Sequence, residues 1–174
     1  MCASSPLAIG GRDGQDAQTL VADQMGIYAA AHHDQFMVVL GDNFYNKGVP
    51  DVWASQWKTS FEDIYTAPSL QIPWYVALGN HDYGINPQAQ VDYTLYSPRW
   101  KMPSRYYTMT RQIDANNTVE FFILDSTPYV LNPKKVGESA DASKEDPVAQ
   151  TAWLEAQLKA STAQWKIVCA HHPV

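Results

Sequence analysis

The sequence predicts an α/β layered fold, and three observations predict it. Strand-like apolar runs alternate with helix-like stretches along much of the chain. Four of those runs, FMVVLGDNFY (36–45), YVALGNHDYG (75–84), FFILDST (121–127) and KIVCAHHPV (166–174), each deliver polar, metal-competent side chains at their carboxyl ends. In open α/β sheets ligands gather beyond those ends, which is where Asp42, Asn80, His81 and His171 fall.

The helices follow from spacing. Residues 16–32 carry Leu20, Val21, Met25 and Tyr28 at helical intervals. In residues 51–64, Trp53, Trp57, Phe61 and Ile64 fall at i, i+4, i+8 and i+11, with Asp51 placed to cap. A third helix is expected over 147–160, with Asp146 as N-cap, Pro147 as first residue and Trp153, Leu154 and Leu158 as its buried stripe. The aromatic-rich stretch 92–125 alternates in its later part, breaks at Asp114-Ala115-Asn116-Asn117 and resumes, which predicts a β-hairpin. Residues 132–146 read as a surface loop. The 174 residues contain no internal repeat and fit a single domain, 1–174, with a core of its own.

Composition narrows the function. Hydrophobic residues at 45% and charged residues at 17% describe a globular chain. A net charge of −6 leaves no basic stripe to neutralise phosphates, which argues against nucleic-acid binding. The apolar runs fall far short of the ~20 residues that span a bilayer, so no membrane partner is expected. MCASSPLAIG has neither the basic start nor the long apolar centre of a signal peptide. Cys2 and Cys169 are too few for a disulfide framework, and Cys169, inside an apolar run, reads as a small buried thiol. Asn116-Asn117-Thr118 has the form of a glycosylation sequon, but such triplets arise often by chance, and the compartment stays open.

Taken singly, the strand-end residues have plain explanations. Asp42 after Gly41 can be an Asx turn, Asn80 and His81 a turn asparagine and a surface histidine. Together they supply carboxylate, amide oxygen and imidazole, the ligand types of Mn, Fe and Zn. A carboxylate between two cations can bridge them at ~3.5–4 Å. Tyr45 is the informative addition. A phenol with an ordinary pKa of ~10 becomes a good ligand only beside a strongly acidic cation, and Fe(III) ionises it best.

The motifs GDNFY, ALGNHD and VCAHHPV resemble successive motifs of the purple acid phosphatases, within the calcineurin-like metallophosphoesterases. The flanks NFYNKGV, SFEDIY, SPRWKMPSRYY and TAWLEAQL are similar to the small, tartrate-resistant type, so the resemblance runs over nearly the whole chain. It implies a layered β-sandwich flanked by helices and a two-metal site, with Fe in one position and Fe, Zn or Mn in the other. It also implies hydrolysis of small-molecule phosphate monoesters at acid pH, and a secreted or periplasmic setting. By matching position, Asp42 would bridge the metals, Tyr45 would be the iron phenolate, and Asn80 and His171 would bind the second metal. His81 would contact phosphate and protonate the leaving group, a role suited to an imidazole. Asn43 and Asp82 would support those ligands, and His172 follows the matched histidine towards the substrate. His32 and His33 stand at a helix end, where the dipole favours them.

The chain departs from the family pattern in two places. The opening strand of the family ends Gly-Asp-Trp-Gly, whereas here Gly10 runs into Gly11 and the next acidic residue is Asp13. The sequence also stops at Val174, before the family's GHxH motif, so the C-terminal part of the fold is expected to be missing. On this reading the chain alone binds at most one metal and is inactive. The alternative is a non-catalytic member that keeps the fold as a binding or structural module. A related phosphodiesterase or nucleotidase is disfavoured by Tyr45, because that wider superfamily mostly places a carboxylate there.

Overall fold

The computed structural model describes residues 2–3, 14–130 and 144–173. Asp13 and most of the 132–146 loop lie outside them. Helix α1 (Gly14–His32) leads into a parallel sheet of order β1 (Cys2–Ala3), β2 (Met37–Leu40), β3 (Trp74–Ala77) and β4 (Trp100–Lys101). The register is tight at its centre, with Val38 opposite Tyr75 and Leu40 opposite Ala77. Parallel neighbours need long crossovers. Helix α2 (Ser55–Trp57), continued as a π-turn over Lys58–Glu62, lies in the one between β2 and β3. Helix α3 (Gln88–Asp92) lies in the next.

A second sheet carries β5 (Tyr107–Gln112), β6 (Thr118–Ile123) and β7 (Trp165–Cys169). The expected hairpin forms, antiparallel from Tyr107 opposite Ile123 to Gln112 opposite Thr118. Its turn is held by Asp114 Oδ1, which accepts from the backbone of Asn116 at 2.8 Å and Asn117 at 3.0 Å. Short helix α4 (Thr127–Val130) and helix α5 (Pro147–Ala160) bring the chain back so that β7 runs parallel to β6. The sheets meet face to face. Phe36 packs edge-on against Phe121 at 5.6 Å, and the buried Tyr107 hydroxyl donates to Val76 O and accepts from Val76 N across the layer.

The core explains why these segments pair. Met37, Val38, Val76, Leu78, Phe122 and Ile123 are almost wholly buried, as residues of two-sided strands must be. Under the first sheet an aromatic cluster fills the floor: Trp57 stacks on Tyr93 at 3.6 Å, and Trp100 meets both Trp57 and Phe61 edge-on. Cys169 is buried, as its apolar run predicts.

Three helices differ from expectation in their facing; in α5 the expected stripe of Trp153, Leu154 and Leu158 is only half-buried, and Gln150 is the buried residue. In α1 the buried residues are Ala22, Gly26 and Ala29, with Met25 half-buried against the core as expected, while Leu20, Val21 and Tyr28 are exposed. The reason is close approach: Ser69 Oγ donates to Gly26 O at 2.6 Å, and a Cβ on Gly26 would lie 2.6 Å from that of Ala67, so the centre of that face takes only small residues. In the second helix Trp57 and Phe61 are buried but Trp53 is 77% exposed. The helix begins later than expected, with Ala54 at the N-cap, because Asp51 Oδ1 is spent on Trp53 N at 2.7 Å in a preceding turn. Helix α5 begins as predicted, with Asp146 accepting from Val148 N and Ala149 N.

Candidate metal centre

The carboxyl ends of β2, β3 and β7 converge on one carboxylate. Gly41 (φ 89°) and Asp42 (φ 54°) both adopt left-handed backbone as the chain leaves β2. Aspartate tolerates that conformation better than most residues, and the bend sets the Asp42 side chain against the loop after β3. There Gly79 leaves no space: a Cβ at that position would lie 2.2 Å from Asp42 Oδ1. His81 N donates to Asp42 Oδ1 at 3.0 Å, and Tyr45 OH donates to Asp42 Oδ2 at 2.8 Å.

The histidines arrive from opposite sheets. His171, just beyond β7, has Nδ1 2.8 Å from Leu40 O and Nε2 3.4 Å from Asp42 Oδ1. His81 has Nδ1 2.8 Å from Asn46 O and Nε2 4.0 Å from Asp42 Oδ2. A carbonyl only accepts, so each Nδ1 carries a hydrogen, and in the neutral ring Nε2 is the nitrogen left to bind a cation beside Asp42. Tyr45 lies against the His81 ring at 4.6 Å. Burial, with help from the bond to Asp42, pushes the Tyr45 phenol up to about 12. Asn80 is exposed between Gly79 and His81, both of which touch Asp42.

Beneath this shell lies a buried polar clamp. Asp82 is wholly buried and accepts from Gly79 N at 2.8 Å, Asn43 N at 2.9 Å, Phe44 N at 3.2 Å and Gln90 Nε2 at 2.8 Å. Gln90 Oε1 accepts from Asn43 Nδ2 at 2.9 Å, which ties the loops after β2 and β3 into one unit. Burial raises Asp82 to about 6 despite these donors. Asn43 and Asp82 are thus placed behind the ligand candidates. Gln90 was missed by sequence reasoning; a glutamine in a short helix carries no motif, and only its burial reveals it.

A second polar cluster stands at the end of β6. Asp125 is buried, takes a short hydrogen bond from Tyr83 OH, and is capped by Gln150, whose amide bonds both Asp125 N and Asp125 O at 2.9 Å. Arg105 donates to Tyr83 OH at 3.1 Å and pairs with Glu145 at 3.3 Å. Burial raises Asp125 to about 7. The next residue, Ser126, meets both the backbone and the ring of His172. The FFILDST run announced these two residues as strand-end polar groups, without saying what they would touch.

The donor chemistry suits a transition-metal ion: one carboxylate, one imidazole lone pair, an amide and a phenol. Among the described residues no three His, Cys, Asp or Glu side chains converge to hold a metal by themselves.

Comparison with known proteins agrees with this architecture. Residues 14–174 match the calcineurin-like phosphoesterase family model, and the chain belongs to that family. Among curated relatives, purple acid phosphatase 4 of Arabidopsis thaliana is 38% identical over 171 residues, covering 94% of this chain and 49% of that protein. Tartrate-resistant acid phosphatase type 5 of Sus scrofa is 37% identical over 144 residues, covering 80% of this chain and 42% of that protein. The chain spans about half the length of the curated relatives it matches. Among solved structures, GAP50, the anchor in the inner membrane complex of Plasmodium, superposes with a TM-score of 0.77 at 22% identity. That match covers 99% of this chain and 55% of the other, and it shows the fold alone.

Proposed function

We propose that this chain carries the metal-binding core of an acid phosphatase acting on small phosphate monoesters. The observation that supports it most directly is the convergence on Asp42 of Tyr45 OH at 2.8 Å and His171 Nε2 at 3.4 Å, from opposite sheets. Asp42, Asn80 and His171 would hold a divalent cation, and Asp42 with Tyr45 would face an iron position. Cations so held polarise a phosphoryl group and lower the pKa of water. The chain's own residues orient and exchange protons. Leu40 O fixes the His171 ring with its lone pair facing the site, and the Asp82 clamp keeps the two loops at a set separation. His81, with Nδ1–H engaged by Asn46 O, has Nε2 left to take up a proton and then pass it to the leaving oxygen.

The donor count also favours a second reading. Described side chains serve one metal position better than the other, so a fold-retaining module without turnover is the competing function. Titration with zinc separates the two. One tightly bound ion per chain, lost in Asp42→Asn and weakened in His171→Ala and Asn80→Ala, supports the metal centre; unchanged affinity in Asp42→Asn would overturn it. Hydrolysis of p-nitrophenyl phosphate by the metal-loaded protein should be fastest below neutral pH. His81→Ala should lower kcat by roughly 10²–10⁴, the range for a lost general acid. A loaded protein with no turnover leaves the module reading standing.

A further inference from the structure

The three histidines of this region are not held alike. His171 and His81 each donate Nδ1–H to a backbone carbonyl, Leu40 O and Asn46 O, and so as neutral rings have their lone pair at Nε2. His172 is clasped differently. Its Nδ1 lies 2.9 Å from Ser126 Oγ, and the same oxygen accepts the backbone N–H of His172 at 3.0 Å. The Ser126 hydroxyl thus already serves as an acceptor, and its single hydrogen has Nδ1 as the acceptor within reach. Donation there makes Nδ1 the acceptor and moves the ring hydrogen to Nε2. The His172 ring stands edge-on to that of His171 with centroids 4.8 Å apart, beside the candidate ligand. Two imidazoles therefore offer lone pairs at Nε2, and the third offers a donor.

We propose that His172, held by Ser126 as the Nε2–H tautomer, binds the substrate by donating that hydrogen to a phosphate oxygen. The inference deepens the phosphatase reading and rests on it. Phosphate oxygens only accept, so a bare Nε2 would meet them lone pair to lone pair, whereas His172 supplies a hydrogen without first taking up a proton. The contact is a binding contact, and no proton changes hands. Ser126 is a positioning residue: it never reaches the phosphate but decides which ring nitrogen carries the hydrogen. One hydrogen bond to a charged group is worth about 10–100-fold in affinity.

Imidazole ¹⁵N NMR of the protein as expressed reads the tautomer directly, with or without metal. The expected result is a protonated Nε2 and bare Nδ1 for His172, shifting to a mixture in Ser126→Ala and returning in Ser126→Thr. Inorganic phosphate is then titrated calorimetrically into the zinc-loaded protein. His172→Phe keeps a ring against His171, and should weaken phosphate binding about 10–100-fold while zinc affinity stays within about twofold. In turnover the same variant should raise KM far more than it lowers kcat. An Nδ1–H tautomer in the parent protein, or unchanged phosphate affinity in His172→Phe, overturns the proposal. Failure of the parent protein to bind zinc at all overturns the phosphatase reading and this proposal with it, whereas zinc binding with unchanged phosphate affinity in His172→Phe overturns this proposal alone.

Discussion

Gly79 and Asp42 sit so close that a methyl group on Gly79 would come within 2.2 Å of Asp42 Oδ1 and 2.3 Å of Asp42 N. The contact joins the loop after β2 to the loop after β3 at the point where the candidate ligands meet. Because the nearest atoms include backbone, the clash cannot be relieved by turning one side chain. Gly79→Ala should cost about 1–3 kcal/mol of stability, the usual range for overpacking. It should also lower zinc affinity by at least ~10-fold by displacing the carboxylate. Chemical denaturation and zinc calorimetry on the one variant check both; an unperturbed zinc isotherm would mean the carboxylate is free to move.

Gln90 tests the clamp behind the site. Its side-chain amide donates to Asp82 and accepts from Asn43, all without solvent access of its own. Gln90→Leu keeps most of the volume and removes both bonds. Asp82 keeps its three backbone donors and Asn43 its bond to Ala77 O, so urea denaturation should show only the loss of two hydrogen bonds, about 1–3 kcal/mol in all. Gln90→Glu should fare worse at neutral pH than at pH 5, because it sets a second carboxylate against Asp82.

Asp125 gives a pH signature. Its folded pKa of about 7 lies above the ordinary value of 3.8, with burial as the leading cause. The groups facing it are Tyr83, Arg105 and Glu145. A raised carboxylate binds its proton more tightly when folded, so its contribution is full below about pH 4 and is lost as pH rises through about 7. In Asp125→Asn that dependence disappears. The unfolding free energy of the parent minus that of the variant should therefore fall between pH 4 and 7, by a few kcal/mol at ~1.4 kcal/mol per pH unit. A flat difference across the window would mean that Asp125 stays ionised in the folded protein.

Asp146 offers a local test. Its carboxylate accepts from Val148 N at 2.9 Å and Ala149 N at 3.0 Å, satisfying donors that helix α5 leaves open. Asp146→Ala should cost about 1 kcal/mol and Asp146→Ser much less. Thermal melts of the two variants at one pH suffice to rank them.

Much of this molecule is legible in its amino-acid sequence. The apolar runs around Val38, Val76, Phe122 and Val168 are strands, the Asp114 turn makes a hairpin, and Asp146-Pro147 opens a helix, because each signal is local. The strand-end pattern likewise picks out Asp42, Tyr45, His81 and His171, which the fold brings together. Local chemistry does not reveal which face of α1 turns inward. Packing against Ser69 requires small residues there, and Leu20 and Val21 are left outside. Nor does the chain order show that Gln90 reaches Asn43, that Gly79 makes room for Asp42, or that Ser126 sets the ring of His172. Those relationships join residues 37 to 47 positions apart in the chain. A hydrogen bond between distant residues has no period or neighbour to announce it. Strand pairing within each sheet, and for His171 and Leu40 the packing of one sheet on the other, decide which donors and acceptors end up facing each other, and through that which nitrogen of each histidine is left to do chemistry.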